Sequence, residues 1–456
     1  MQPGLFCLHL HTTNPFSIMR PVLLFLLTII SLTGLAQPKD TWVIRVGKLY
    51  DAQNKLFLAN QTLVVVNGVI QAVGPQVAKP AGAKQLDMSR YTVTPGLIDM
   101  HTHLLIHQKQ TKDGLEVASK VPADQRVERG LRFARQYIEA GITTVRDLGN
   151  SGQYLDVRLQ KLLSKSGNLT IYVSGPILSP PGGQFGKLFP ADSFVINQEY
   201  RVVKGPADAR EAVLEHVRQG INVIKVCMNT DNRVLAPDEI EAIVKTARDN
   251  GITVTAHATY DESARDAVLA GVSGIEHGYA LSDTTLELMA QRGTYLVPTD
   301  ASRRLAARLV AGIGMVGKEA DDYANSFLNG VHDRLRRAVA KGVTIVSGSD
   351  YYLDVAGVGQ GQGAVDVVLA YHEAGIPVSE VLQYATYKAA KALGVSDKLG
   401  SISKGMQADL VFFEGDLETD FAQALTQVKM VFKRGTPVFS KVAPVSRKKP
   451  VGGSRK

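Results

Sequence analysis

Residues 222–278, NVIKVCMNTDNRVLAPDEIEAIVKTARDNGITVTAHATYDESARDAVLAGVSGIEHG, carry the pattern that decides the fold. Three short apolar, β-branched runs stand in it: NVIKVC (222–227), TVTAHA (253–258) and GIEHG (274–278). Between the first two lies DEIEAIVKTARDNG, a segment of helical period that closes on the glycine helices favour at C′. Alternation of strand and helix is the signature of a parallel sheet covered by helices. It continues in both directions. Upstream come GLIDMH (96–101), TTVRDL (143–148) and TIYVSG (170–175); downstream come TYLVPT (294–299) and VTIVSG (343–348). RVERGLRFARQYIEAG, DAREAVLEHVRQG and TTLELMAQRG are helical segments between them. Eight strand–helix units from residue 96 to about 395 predict an α/β fold, a TIM-like (β/α)8 barrel rather than a doubly wound sheet.

The flanks read differently. TWVIRVGKLY, TLVVVNGVIQAVG and YTVTP alternate as strands do, and Asn67-Gly68 between two apolar runs signals a hairpin. Beyond the barrel and the helix VSEVLQYATYKAAKALG, the runs GSISKGMQADLVFFEGD and VKMVFKRGTPVF read as strands again. The expected organisation is a barrel over 95–400 beside a small β-sandwich built from the N-terminal segment 37–94 and the C-terminal segment 401–440.

The ends carry addresses and charge. PVLLFLLTII (21–30) follows Arg20, and Gly34-Leu35-Ala36 precedes Gln37 as a cleavage site, so 1–36 reads as a signal peptide with translation starting at Met19. Its core is short for a spanning helix, and no cysteine marks a lipoprotein anchor. The expected protein is exported, periplasmic or secreted, with no stable membrane anchor. The formal charge is +8, but removing Arg20 and the six basic residues of the tail 441–456 leaves +1. The tail reads as disordered, and the body offers no nucleic-acid surface. Cys7 precedes the mature chain, so Cys227 stands alone, no internal disulfide forms, and packing is its expected role.

Six residues at the ends of predicted strands carry chemistry: His101, His103, Lys225, His257, His277 and Asp350. In a barrel that is the active-site face. His101 and His103, two apart on an extended segment, share one face and can reach one metal ion. His257 and His277 end successive strands, about 4.8 Å apart, and can converge on a second. Small neighbours (Ala256, Ala258, Gly278) leave room for a ligand. Lys225 lies among Val223, Ile224 and Val226, where burial favours the neutral amine. Such an amine captures CO2 as a carbamate, an anionic ligand with two oxygens. Asp350 can bind one metal, take a proton from a bound water and pass it on. Two close divalent ions bring a bridging water towards neutral pKa and polarise a carbonyl. The ordinary alternatives are loop histidines, a snorkelling lysine and an N-cap aspartate.

TPGLIDMHTHL, GITTVRDLG, SPPGGQFG, IKV, TAHA, GIEHG, VSGSD and GSISKGMQADLVFFEGD together resemble the amidohydrolase superfamily from about Trp42 to Val438. The branch is that of imidazolonepropionase-like proteins and metal-dependent Xaa-Pro or Xaa-Arg dipeptidases. The resemblance implies that His101, His103 and Asp350 hold one metal, that His257 and His277 hold the other, and that carboxylated Lys225 bridges them. Ser349-Asp350 stands where the family usually has Thr-Asp. Imidazolonepropionases typically use one metal and lack the lysine, so Lys225 and the leader favour the binuclear dipeptidase-like members.

The expected function is hydrolysis of a C–N bond by a hydroxide bridging two divalent ions, zinc suiting the ligands. Asp350 serves as proton shuttle and a dipeptide as substrate. Cyclic amides, carbamates or lactones are the alternative substrates, and an inactive binding barrel is the reading from another class. Specificity candidates are Gly182-Gly183, Tyr260, Arg303, Arg304 and Tyr351-Tyr352. The sequence is compatible with a homo-oligomer and does not fix its size.

Overall fold

The computed structural model describes residues 40–184, 189–190, 192–229 and 234–442. The leader expected over 1–36, its start at Met19, Cys7 and the tail beyond Val442 lie outside the described residues.

Four strands come first: β1 (Thr41–Asp51), β2 (Leu56–Val66), β3 (Val69–Gly74) and β4 (Lys84–Pro95). The turn joining β2 to β3 is Asn67-Gly68, with φ of 50° and 81°. Positive φ at both positions is what a two-residue type I′ hairpin demands.

Next come β5 (Leu97–Thr102), β6 (Ile142–Asp147), β7 (Thr170–Val173), β8 (Ile177–Ser179), β9 (Tyr200–Val202), β10 (Val223–Cys227), β11 (Thr253–Ala258), β12 (Gly274–His277) and β13 (Tyr295–Val297). Every ladder among them is parallel. Alternate side chains have opposite fates. Ile224, Val226, Val254, Ala256 and Ile275 join the apolar cluster shared with the helices. Lys225, Thr255, His257 and Glu276 take the positions between them and are also buried.

The structure is an α/β barrel, and two of its eight strands are less regular than expected. The third run is broken: β7 stops at Val173 and β8 resumes at Ile177, with Gly175 in the gap at φ 68°. β7 pairs with β6, and Asn222 N–H donates to the Val173 carbonyl at 2.8 Å. β8 then runs beside β10. The eighth run, 343–348, makes one bridge, Leu296 to Ile345, instead of a ladder. Its hydrogen bonds still reach both neighbours: Val346 N–H donates to Leu296 at 3.0 Å, and Met100 N–H donates to Ser347 at 2.8 Å. The strand circuit thus returns from β13 to β5.

The last strands are β14 (Leu410–Glu414), β15 (Val428–Lys433) and β16 (Thr436–Ser440). They join the first four in one seven-stranded sheet, ordered β16-β15-β14-β4-β1-β2-β3. N- and C-terminal segments therefore share a sheet, and its two layers arise by curling. Trp42 of β1 packs edge-on against Phe432 of β15 at 5.4 Å, although β14 and β4 lie between those strands. Ala408 N–H donates to the Gly68 carbonyl at 2.8 Å, tying the β2–β3 turn to the far side. Ile44, Leu63, Met88, Phe412 and neighbours fill the interior so enclosed. Val411, Phe413, Val428 and Val431 belong instead to the barrel cluster. Among the described residues no helix is long and apolar enough to cross a membrane.

Candidate metal centre

All six candidate residues come together at one end of the barrel. His101 is the last residue but one of β5 and His103 follows the strand; their Nε2 atoms lie 3.2 Å apart. Asp350 Oδ1 is 3.1 Å from His103 Nε2 and 3.4 Å from His101 Nε2. Its Oδ2 is 3.8 Å from His277 Nδ1. The His257 and His277 rings stack edge-to-face at 4.6 Å, and the His101 and His277 rings lie 5.2 Å apart. His101, His277 and Asp350 each offer a ligand atom within 4.8 Å of the others.

The hydrogen bonds fix which ring nitrogens are free. His101 Nδ1 is 2.7 Å from Glu276 Oε2, and a carboxylate only accepts, so Nδ1 carries the proton. His103 Nδ1 donates to the Gly149 carbonyl at 2.8 Å on the same logic. Both Nε2 lone pairs are thereby turned on each other and on an anionic carboxylate. This arrangement repels itself unless a cation or a proton sits among the three groups.

Glu276 is a residue that the sequence reading passed over. Fully buried, it accepts from His101 and from Arg146 Nη2 at 2.7 Å, and from the Thr255 hydroxyl. Arg146 also donates to the Met100 carbonyl and the Tyr295 hydroxyl, both at 2.7 Å. Asp99 is a second such residue. Its Oδ1 accepts from His101 N–H at 3.0 Å and Ser349 N–H at 2.9 Å, so it ties the first strand to the eighth. Burial pushes its carboxyl up to about 7. Asp147 is a third, accepting from Leu104 N–H at 2.6 Å and shaping the turn after His103. A partner of this kind orients each ligand and fixes its tautomer.

Lys225 lies deeper than expected. It is the middle residue of β10, in register with Thr255, whereas His257 pairs with Cys227 two residues higher. At 2% exposure it does not snorkel, and its Nζ has no hydrogen-bond partner. Burial lowers its pKa to about 8 against the opposing pull of Glu276 and Asp350. His257 Nδ1 likewise lacks a partner. Burial holds His101, His257 and His277 well below the usual imidazole range, which keeps them neutral. Burial works against the charge on His103, but Asp350 outweighs it and raises that pKa. Asp350 is the most exposed of the six side chains, at 20%. It sits at φ 50°, and His277 at φ 70°. Left-handed backbone at non-glycine strand ends costs about 1–3 kcal/mol and clusters at functional sites.

A narrow cleft opens over these groups, walled by Ile106, Gln108, Asn150, Ile177, Gln184 and Tyr352. Of the specificity candidates, Tyr352 stands against His103, with ring centroids 5.5 Å apart. Tyr351 is buried, its hydroxyl directed to the Val358 carbonyl. Arg304 is held in an ion pair with Asp366, and Arg303 is exposed. Tyr260 is exposed at the start of a helix, and Gly182-Gly183 are buried at φ 95° and 64°. Cys227 is buried and free, its thiol 3.2 Å from the Asn229 carbonyl.

Comparison with known proteins adds to this geometry. A profile of the Amidohydrolase family matches residues 92–438. Ochratoxinase of Aspergillus niger is 26% identical over 389 residues, 78% of each chain. Imidazolonepropionase of Desulfotalea psychrophila is 25% identical over 446 residues, covering 89% of this chain and 98% of the relative. Among solved structures, a Xaa-Pro dipeptidase with bound methionine in its active site superposes with a TM-score of 0.75 at 26% identity, over 87% of this chain and 99% of its own. A prolidase complexed with N-methylphosphonate-L-proline gives 0.76 at 27%, over 88% and 100%.

Proposed function

Because the chain belongs to the amidohydrolase family, we propose that it is a binuclear metal-dependent hydrolase of a C–N bond whose substrate is a dipeptide, with proline or a basic residue as the leaving end. The observation that carries the proposal is the facing pair of His101 and His103 lone pairs beside Asp350, with the orphaned amine of Lys225 below. This donor set fits two cations. His101, His103 and Asp350 would hold one, His257 and His277 the other, and a carbamate formed on Lys225 from CO2 would supply oxygens to both. When bound, two divalent ions, zinc by the character of the ligands, supply Lewis acidity that activates a water and polarises a carbonyl.

The chain's own residues do the rest. Asp350 takes the proton of the attacking water and delivers it to the departing nitrogen. Arg146 and Thr255 hold Glu276, which holds His101. Ile106 and Ile177 contribute buried apolar groups to the lining. The dipeptide reading draws support from the two solved dipeptidase-type structures covered almost end to end. Amides of other shape are favoured by the ochratoxinase and imidazolonepropionase likeness. Export rests on the leader alone, and mass spectrometry of the secreted chain, beginning at Gln37, checks it.

The test is hydrolysis of a dipeptide library by the protein from residue 37 onward, loaded with zinc and bicarbonate, with the chelated protein as control. Metal-dependent cleavage clustered on one C-terminal residue type is expected. In Asp350→Asn the metal should remain while turnover falls by about 10²–10⁴. Wild-type turnover in that variant would remove the shuttle role.

A further inference from the structure

We infer that the mouth of the site is an aromatic clamp, Tyr279 and Phe327 on one side of Asp350 and Tyr352 on the other, which, of the two leaving ends proposed above, favours a compact apolar ring over a basic side chain. The inference rests on the hydrolase reading above and deepens it. Tyr279 stands two residues after His277 and leans on its ring, with centroids 5.5 Å apart at 37°. Its hydroxyl end reaches inward, 3.5 Å from His277 Nδ1, while the residue remains 37% exposed. Phe327, on the helix Gly317–Ala340, meets the Tyr279 ring edge-on at 6.0 Å and is 43% exposed. Tyr323, one turn earlier on the same helix face, is 56% exposed. That helix already buries Ala324, Leu328, Val331 and Leu335, so its core contact is made by other residues. A chain of exposed aromatic rings that begins at a candidate ligand is costly to leave in water and marks a binding surface.

Across Asp350, Tyr352 packs perpendicular to His103, at 87°. Asp350 Oδ1 faces His103 and its Oδ2 faces His277, so the two tyrosines stand on the two sides of this carboxylate. Beside Tyr352 the described cavity wall offers Ile106 and Ile177 as apolar groups and Gln108, Asn150 and Gln184 as neutral amides. Its only ionisable side chains besides Tyr352 are those of the candidate centre itself. A basic side chain entering there would lose water and meet no carboxylate among the described lining residues other than Asp350, while a ring would gain faces to stack on.

Calorimetry on the zinc-loaded full chain tests this without requiring turnover. The probes are methylphosphonate, benzylphosphonate and 2-aminoethylphosphonate. Benzylphosphonate should bind at least about tenfold tighter than the other two, and Phe327→Ala should remove most of that ratio. Tyr279→Phe, which keeps the ring and drops the hydroxyl, should preserve it. No binding of benzylphosphonate, equal affinity for methylphosphonate, or a ratio unchanged by Phe327→Ala would each overturn the clamp. Turnover of amides measured in parallel separates the two ideas. A benzyl preference without metal-dependent hydrolysis retains the clamp and removes the hydrolase reading, and hydrolysis indifferent to ring substituents does the reverse.

Discussion

Lys225 has its amine buried at 2% exposure without a hydrogen-bond partner, and its pKa lies near 8 because burial penalises the ammonium. The unfolded chain keeps the ordinary value of 10.5. Between about pH 8 and 10.5 the unfolded state therefore binds more protons than the folded one, and stability owed to this group rises with pH across that window. Below it the folded chain carries a buried cation at full cost. Lys225→Met removes the titration, so the metal-free variant should exceed the metal-free wild type at pH 7.5 by a margin that shrinks by a few kcal/mol on reaching pH 10.5. Urea unfolding of both proteins at the two pH values measures it, and a constant margin would contradict a buried neutral lysine. The lysine, four histidines and aspartate were legible because each stands out chemically after an apolar run. Glu276, Arg146 and Asp99 were hidden in plainer form, as charges inside runs that a doubly buried parallel strand should fill with apolar residues. Opposite charges in TTVRDL and GIEHG were the available signal, since such charges persist only when paired.

Gly348 shows how an element can be placed by a missing side chain. A Cβ there would meet His101 Cβ at 2.9 Å and His101 N at 3.0 Å, and would also strike Val297. The eighth run packs flush on β5 only because the glycine allows it. Asp350 N–H then donates to the His101 carbonyl at 2.7 Å, and carboxylate and imidazole are set by one contact between two strands. In Gly348→Ala the eighth run must withdraw by some tenths of an ångström. Zinc affinity should fall by about tenfold or more while the far-ultraviolet circular dichroism stays that of the wild type. Unchanged affinity would show that the approach is not what positions Asp350. Alternation and strand order were readable at this scale, as was the Asn67-Gly68 turn. The break at Gly175 and the single bridge of the eighth run were not, because both depend on how neighbouring strands stagger around the closed barrel.

At the scale of the whole molecule, β4 runs through Gly96 directly into β5, so the curled terminal sheet and the end of the barrel that carries the candidate centre share one stretch of chain. β4 also pairs with β14, whose Val411 and Phe413 pack into the barrel cluster. The terminal sheet encloses a core of its own, yet it shares side chains with the barrel's core and has no independent backbone. On the proposed reading, this coupling would make an occupied centre a stabiliser of the entire fold. Without cations, the facing lone pairs of His101 and His103, the amine of Lys225 and the free oxygen of Asp99 are buried without full compensation. A ligand bound only by the folded state adds RT ln(1 + [L]/Kd), about 4 kcal/mol when it stands at a thousandfold Kd. Removing metal with dipicolinate should therefore lower Tm by several degrees in a single transition that includes the terminal sheet. Zinc should restore it, and Lys225→Met should recover less than the wild type on the same addition. Scanning calorimetry with metal analysis decides the matter. A Tm indifferent to chelation, in protein shown to have carried two ions per chain, would mean that the cations contribute chemistry alone and that the buried donors are satisfied in some other way.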